Sequence, residues 1–210
     1  MRTLYILAIL GALALVPAAC GGDRDVFVAQ TLSDQRADGD IVFSPEPPPN
    51  GTYTISQADA TGNVIFGIAA DASEYRAFLT FPLDGSIGGD TVPLGAVILS
   101  ADIEVFVTDV GQASTVPTLV ELVPYPITGL TSTDFDSLPI ATRGPFDFFR
   151  SDVNAFVRID VTPLMVEAQH RRLLDLQLRF LLDFVPGVLG LIEIDDDLSS
   201  RAPLLTVSYR

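Results

Sequence analysis

Between Tyr75 and Thr108 the chain alternates, and that alternation constrains the fold more than anything else in the sequence. Val97, Leu99, Ala101, Ile103, Val105 and Val107 fall on one side; Ile98, Ser100, Asp102, Glu104, Phe106 and Thr108 fall on the other. Successive side chains of a strand point to opposite faces, so a period of two sustained this long is a strand with one buried and one wetter face. Leu79, Phe81 and Leu83 give a shorter partner strand its own inward row, and a Gly- and Pro-containing loop joins the two. A pair of this kind needs a second apolar layer to cover it.

The remaining segments supply that layer. Short runs at Gly51–Ser56, Val64–Ala69, Val116–Val123, Phe156–Val161, Leu189–Ile194 and Pro203–Tyr209 are bounded by turn residues. Leu174–Phe184 is dense enough in apolar residues to suggest a helix. Its Leu174, Leu176, Leu178 and Phe180 nevertheless alternate with Asp175, Gln177 and Arg179, which makes it a strand with Gln177 on the wetter face. The one helix predicted follows Val161, with Thr162 as its cap and Pro163 in the first turn, where no N–H is missed. Thr128 to Asn154 reads as loop and carries Phe135, Phe146, Phe148 and Phe149. The expectation is an all-β domain, a two-sheet β-sandwich of about eight strands with one short helix.

Residues 1–19 read as a secretory signal: Arg2, then an apolar run from Leu4 to Val16, then Pro17, Ala18 and Ala19. The run ends on Cys20, the only cysteine in the chain, followed by Gly21 and Gly22. This resembles the lipobox of bacterial lipoproteins, with Pro17 where a Leu is usual. The resemblance implies acylation of Cys20 and a lipid-anchored protein of the cell envelope. Gly21, rather than Asp, implies the outer membrane. Residues 20–49, polar and then Pro-rich, read as an extended tether, and residues 50–210 as the compact domain. Two apolar islands in that tether, Val26–Ala29 and Ile41–Phe43, are each long enough for an edge strand.

The net charge is −15, and all twelve basic residues are Arg. Such a surface repels phosphate backbones, so nucleic acid is a poor partner. With one Cys and one His, neither a disulfide framework nor a zinc or thiol centre can be assembled. No cofactor is expected, structural calcium excepted. Asp195, Asp196 and Asp197 form an acidic run of oxygen ligands that suits calcium; a solvated acidic turn is the alternative.

Ile65-Phe66-Gly67 followed by Tyr75–Phe81, then Gly95–Val107, then Ile159–Leu164, and finally Arg201–Val207 resemble, in this order, the DNRLRE-type domains of secreted bacterial proteins. The chain has Pro82 where that family has Asp, and no Trp. The resemblance implies a jelly-roll form of the sandwich and a carbohydrate-binding role. Sugar rings stack on aromatic faces while their hydroxyls take hydrogen bonds. The candidate platforms are therefore Tyr53, Tyr75 and Tyr125, with Phe135, Phe146, Phe148 and Phe149; a buried lid over the core is the other use for such a Phe-rich loop. The leading expectation is a non-catalytic carbohydrate or cell-surface-matrix binding protein. A structural or adaptor lipoprotein that contacts other envelope proteins is the alternative. An enzyme of polysaccharide breakdown, with Asp102 and Glu104 as a carboxylate pair, is the minor one.

Overall fold

The computed structural model describes residues 25–46, 48, 50–57, 62–183, 188–197 and 200–210. The signal segment and Cys20 lie outside them. In chain order the strands are β1 (Phe27–Leu32), β2 (Gly39–Ser44), β3 (Thr52–Gln57), β4 (Asn63–Ile68), β5 (Glu74–Pro82), β6 (Ile98–Gly111), β7 (Thr115–Leu122), β8 (Ala141–Phe149), β9 (Ala155–Asp160), β10 (Asp175–Leu182), β11 (Gly190–Asp195) and β12 (Leu204–Tyr209). Among the described residues one α-helix, α1 (Thr162–His170), follows β9.

All twelve strands belong to one antiparallel sheet, curled into a half-barrel. Its main path runs β1-β12-β6-β11-β4-β5-β10-β7-β8; β2 joins beside β5, β3 beside β2, and β9 beside β6. All-β is right, but the two-sheet, eight-strand sandwich is not. The reason is β6. At 14 residues it is long enough to pair with β12 over Ile98–Glu104 and with β11 over Phe106–Gly111. Its other edge takes β9 along Asp102–Val107. A strand shared in this way keeps both halves hydrogen-bonded as one sheet. Register shifts at Glu193/Ile194, near where the halves meet, and at Ser208/Tyr209, at the outer end of β6, bend it locally.

The extra strands come from segments that read as tether or loop. β1 and β2 lie within residues 20–49, so the sheet begins at Phe27 rather than near Asn50. Each is too short to display a period, and only its partners define it: β12 for β1, and β3 with β5 for β2. β8 was hidden by Gly144 and Pro145, which break its pattern. It tolerates them because it is an edge strand whose register with β7 shifts between Thr118 and Val120.

The concave side holds the main core. Leu79, Phe81, Leu83, Ala101, Ile103, Val105 and Val107 are all buried there, as the alternation requires. Val97 and Leu99 of the same row run past the covered region and are exposed. Leu164, Met165 and Ala168 of α1 pack onto this core. The helix is capped differently from expectation: Val161 is its N-cap residue. The Thr162 hydroxyl instead bonds the backbone of Ala101 on β6, accepting from its N–H at 2.9 Å and donating to its carbonyl at 3.3 Å.

The convex side is covered too. Residues 123–140 fold over β5 and β10, and Tyr125, Leu130 and Phe135 make a second, smaller core with Ile41 and Phe78. Residues 33–38, just before β2, run along the edge of β5 at Thr80 in the place of a strand. Asp34 N–H donates to the Thr80 carbonyl at 2.8 Å, and Thr80 N–H donates to Asp38 Oδ1 at 2.5 Å.

Candidate functional site

β3 is the outermost strand of its branch, paired only with β2, and its residues Thr52 to Ile55 are exposed. Residues paired across strands point the same way. Tyr53 therefore lies beside its partner Phe43 on the convex face, with ring centroids 5.0 Å apart. Phe135, delivered by the covering segment, meets Tyr53 edge-on at 5.3 Å and Phe43 at 6.2 Å. The result is a three-ring cluster whose exposed member is Tyr53, at 41%. Two of the aromatic residues singled out in the sequence, far apart in the chain, are thus in contact.

Charged groups edge this cluster. The Arg76 guanidinium stacks on the Phe135 ring, 3.8 Å from its centroid. It also bonds Glu74 Oε1 at 2.7 Å and Asp136 Oδ1 at 3.0 Å, and donates to the Phe135 carbonyl. Ring face, guanidinium and two carboxylates within one patch are the groups that stack on a pyranose and bond its hydroxyls.

The patch rests on a buried polar frame. Arg179 of β10 bonds Glu121 of β7 through Nε at 2.9 Å and Nη2 at 2.5 Å. Its remaining donors reach the carbonyls of Asp134, Phe135 and Ser137. Gln177, expected on a wet face, is buried: its amide bonds both the N–H and the carbonyl of Tyr125, at 3.1 and 2.8 Å. Tyr125 is buried as well, its hydroxyl 2.7 Å from Thr80 Oγ1, so it supports the cover rather than offering a platform. Burial first, and then the nearby Asp38 carboxylate, raise its phenol well above the usual range.

The other aromatic candidates are scattered. Phe146, Phe148 and Phe149 sit on β8, away from Phe135, so the supposed loop cluster divides in two. Phe148 is fully buried against Phe66 in the main core, Phe146 is half-buried with Arg143 over its ring at 5.7 Å, and Phe149 is exposed. Tyr75 pairs with Gly67 and is half-buried. His170 is exposed, near Glu167 at 3.7 Å, and Asp102 is engaged by Arg158 at 3.2 Å. Two open clefts are lined by neither Phe nor Tyr. One, of about 410 Å³, is lined by Leu32–Arg36, Ser86 and Ile87; the other, of about 290 Å³, lies between Gly95–Ile98 and the end of α1.

The acidic run does not converge. Asp195 ends β11 half-buried, with Arg201 at 3.9 Å, Asp197 is exposed, and Asp196 between them turns inward. Among the described residues no three carboxylate, His or Cys side chains are grouped as metal ligands. Asp196 instead meets Asp38, which lies in the segment expected to be tether. Both are buried. Burial is the main force on each carboxyl, and it pushes Asp196 up to about 6; Asp38 is raised further by the facing Asp196 carboxylate. The only hint in the sequence is that Asp38-Gly39-Asp40 abuts the apolar island Ile41-Val42-Phe43.

No protein-family model matches this chain, and no curated protein is significantly similar to it.

Proposed function

We propose that the chain is a lipid-anchored bacterial envelope protein whose half-barrel binds carbohydrate or cell-surface matrix without transforming it. The observation that carries the reading is the Tyr53–Phe43–Phe135 cluster edged by Glu74, Arg76 and Asp136. An exposed ring braced by two others loses little freedom when a ligand stacks on it. The carboxylates and the guanidinium supply acceptors and donors around it. The anchor rests on the apolar run that ends at Cys20, and its extracytoplasmic side suits a polysaccharide ligand.

Binding of the purified protein to a polysaccharide panel tests this. One exposed ring contributes on the order of 1–3 kcal/mol, taking stacking on nucleobases as the guide. Tyr53→Ala therefore weakens binding at least about fivefold while its melting transition stays with the wild type. A protein that binds no glycan, or a variant that binds as well as wild type, sinks the reading. Fatty-acid labelling of wild type but not of Cys20→Ser checks the anchor separately.

A second reading, an adaptor that contacts other envelope proteins, is favoured by β3. Its outer edge has no strand partner among the described residues, which is the arrangement used for β-strand addition. Cross-linking from Thr52 or Thr54 to an envelope protein, with glycans absent, would favour it over the first.

A further inference from the structure

The half-barrel has two unlike ends. Running antiparallel to β5, the chain passes Pro82 at Thr31, Thr80 at Asp34, Phe78 at Gly39 and Glu74 at Phe43. The Tyr53–Phe43–Phe135 cluster with Glu74 therefore stands at one end, and Phe27, four residues before Thr31, at the other. Beside Phe27 the Tyr209 ring of β12 stacks at 5.8 Å, and Val97, in the loop before β6, exchanges two backbone hydrogen bonds of 3.0 Å with Arg210. The Tyr209 hydroxyl also donates to the Thr91 carbonyl of that loop at 3.4 Å. Leu94 of the same loop shares a cleft with Leu174, whose carbonyl accepts from Leu83 N–H at 2.9 Å, just past the end of β5. Nine large apolar side chains among the described residues are more than half exposed, and six of them gather at this end: Val26, Phe27, Val28, Leu94, Val97 and Leu174. The other three, Ile127, Leu138 and Phe156, lie on the cover and on β9.

Single exposed apolar side chains are ordinary, but a gathering at one end marks a contact surface. We propose that this end rests on the bilayer that holds the Cys20 lipid, with Phe27, Leu94 and Val97 entering the headgroup region; the proposal takes the lipid anchor as its premise. The length of chain before β1 argues for this occupant. Seven residues lead from Cys20 to Phe27, and at ~3.3–3.6 Å each they reach no more than about 25 Å. The end with the ring cluster lies eight residues of β5 and four of β1 farther on, about 40 Å along the strands. An inverted molecule would lift Phe27 beyond the reach of those seven residues, so the anchor itself turns the apolar end toward lipid. Charge does not draw the contact: Asp25, Asp84 and Asp90 are exposed at this end together with Arg172 and Arg210, and the apolar side chains carry it. In this pose the aromatic patch faces away from the membrane, where a polysaccharide can reach it.

The chain has no Trp, so one introduced indole reports its own surroundings. Full-length mature protein is reconstituted in phosphatidylethanolamine–phosphatidylglycerol vesicles with brominated acyl chains, and fatty-acid labelling is scored on the same samples. Leu94→Trp should lose about half its emission or more, as an indole at the boundary of headgroups and acyl chains does. Leu189→Trp should be quenched little: the adjacent Gly190 pairs with Ile68, and Ile68 with Glu74, at the other end. Adding Val97→Asp and Leu174→Asp should cut the quenching of Leu94→Trp at least about twofold, because apolar surface drives the contact. Labelled protein in which both indoles are quenched alike, or in which the added Asp residues change nothing, overturns the contact and leaves the anchor standing. So does an indole in Leu94→Trp that lipid does not quench and iodide does not reach, which means that a second copy or another protein covers this end. Protein that takes no label overturns anchor and contact together.

Discussion

The two faces of β10 are both buried, and they are buried by opposite means. Leu176, Leu178 and Phe180 point into the main core, where only apolar contacts hold them. Gln177 and Arg179, on the other side, are as well covered, yet each is held by hydrogen bonds to one segment, residues 123–140. The apolar face is non-directional: any side chain of suitable volume contributes by leaving water. The polar face is directional, and its members stabilise only when all of them are satisfied. It positions Phe135, and hence the ring cluster, far more narrowly than apolar packing alone would.

The adjacent pair Arg179 and Phe180 gives the strongest test of that contrast. Phe180→Ala removes a fully buried ring and costs about 3–5 kcal/mol. Arg179→Ala leaves the Glu121 carboxylate without its buried cation and removes a donor from three loop carbonyls, and is expected to cost about as much, 3–5 kcal/mol. Replacing Arg179 and Glu121 together by Met and Leu should recover much of that loss, because no charge is left unpaired. Denaturant unfolding measures all three variants. A cost below about 1 kcal/mol for Arg179→Ala would make the convex face an ordinary surface.

Leu178 and Gln177 sharpen it. Leu178→Ala should cost about 2–5 kcal/mol. Gln177→Ala leaves the backbone of Tyr125 without partners and should cost about 1–3 kcal/mol, several times more than a solvent-facing substitution. Equal melts for Gln177→Ala and wild type would show the cover to be loose.

The Asp38–Asp196 pair extends the contrast to pH. Asp196 is raised in the folded state to about 6, from 3.8. The folded state therefore holds more protons than the unfolded one between those values, so its stability falls as pH rises through them. Asp196→Asn should gain on wild type over that window. Melts at a series of pH values show it, and a gain in the opposite direction would contradict the burial of Asp196. The smallest effect is expected at Glu104, half-buried on the convex side of β6 beyond the cover: Glu104→Ala should stay within about 0.5 kcal/mol.

What could be read in the sequence follows the same division. The apolar rows of β5, β6 and β10 announced themselves, since an aliphatic residue at every second position has one use. Gln177 and Arg179 looked wet because polarity was the only clue. Their burial depends on a Pro- and Gly-containing segment whose carbonyls happen to face them, and no period records that. Asp38 lies in a polar run indistinguishable from linker, and its meaning comes from Asp196 near the other end of the chain. Tyr53 and Phe135 were each legible as rings; their contact was not, because it is made by the cover rather than by a strand pair.

The pairing of β1 with β12 governs how the molecule is made. Phe27 lies against Tyr209 and Leu32 against Leu204, so the first strand synthesised waits for the last. Most of the other strand pairs also join strands that are not consecutive, a high contact order that sets folding on the order of milliseconds to seconds. Until Leu204–Tyr209 arrive, β6 shows an unpaired edge over Ile98–Glu104 and β1 has no place to dock. The same delay makes the last six residues of the sheet the place where truncation exposes two edges at once and invites aggregation.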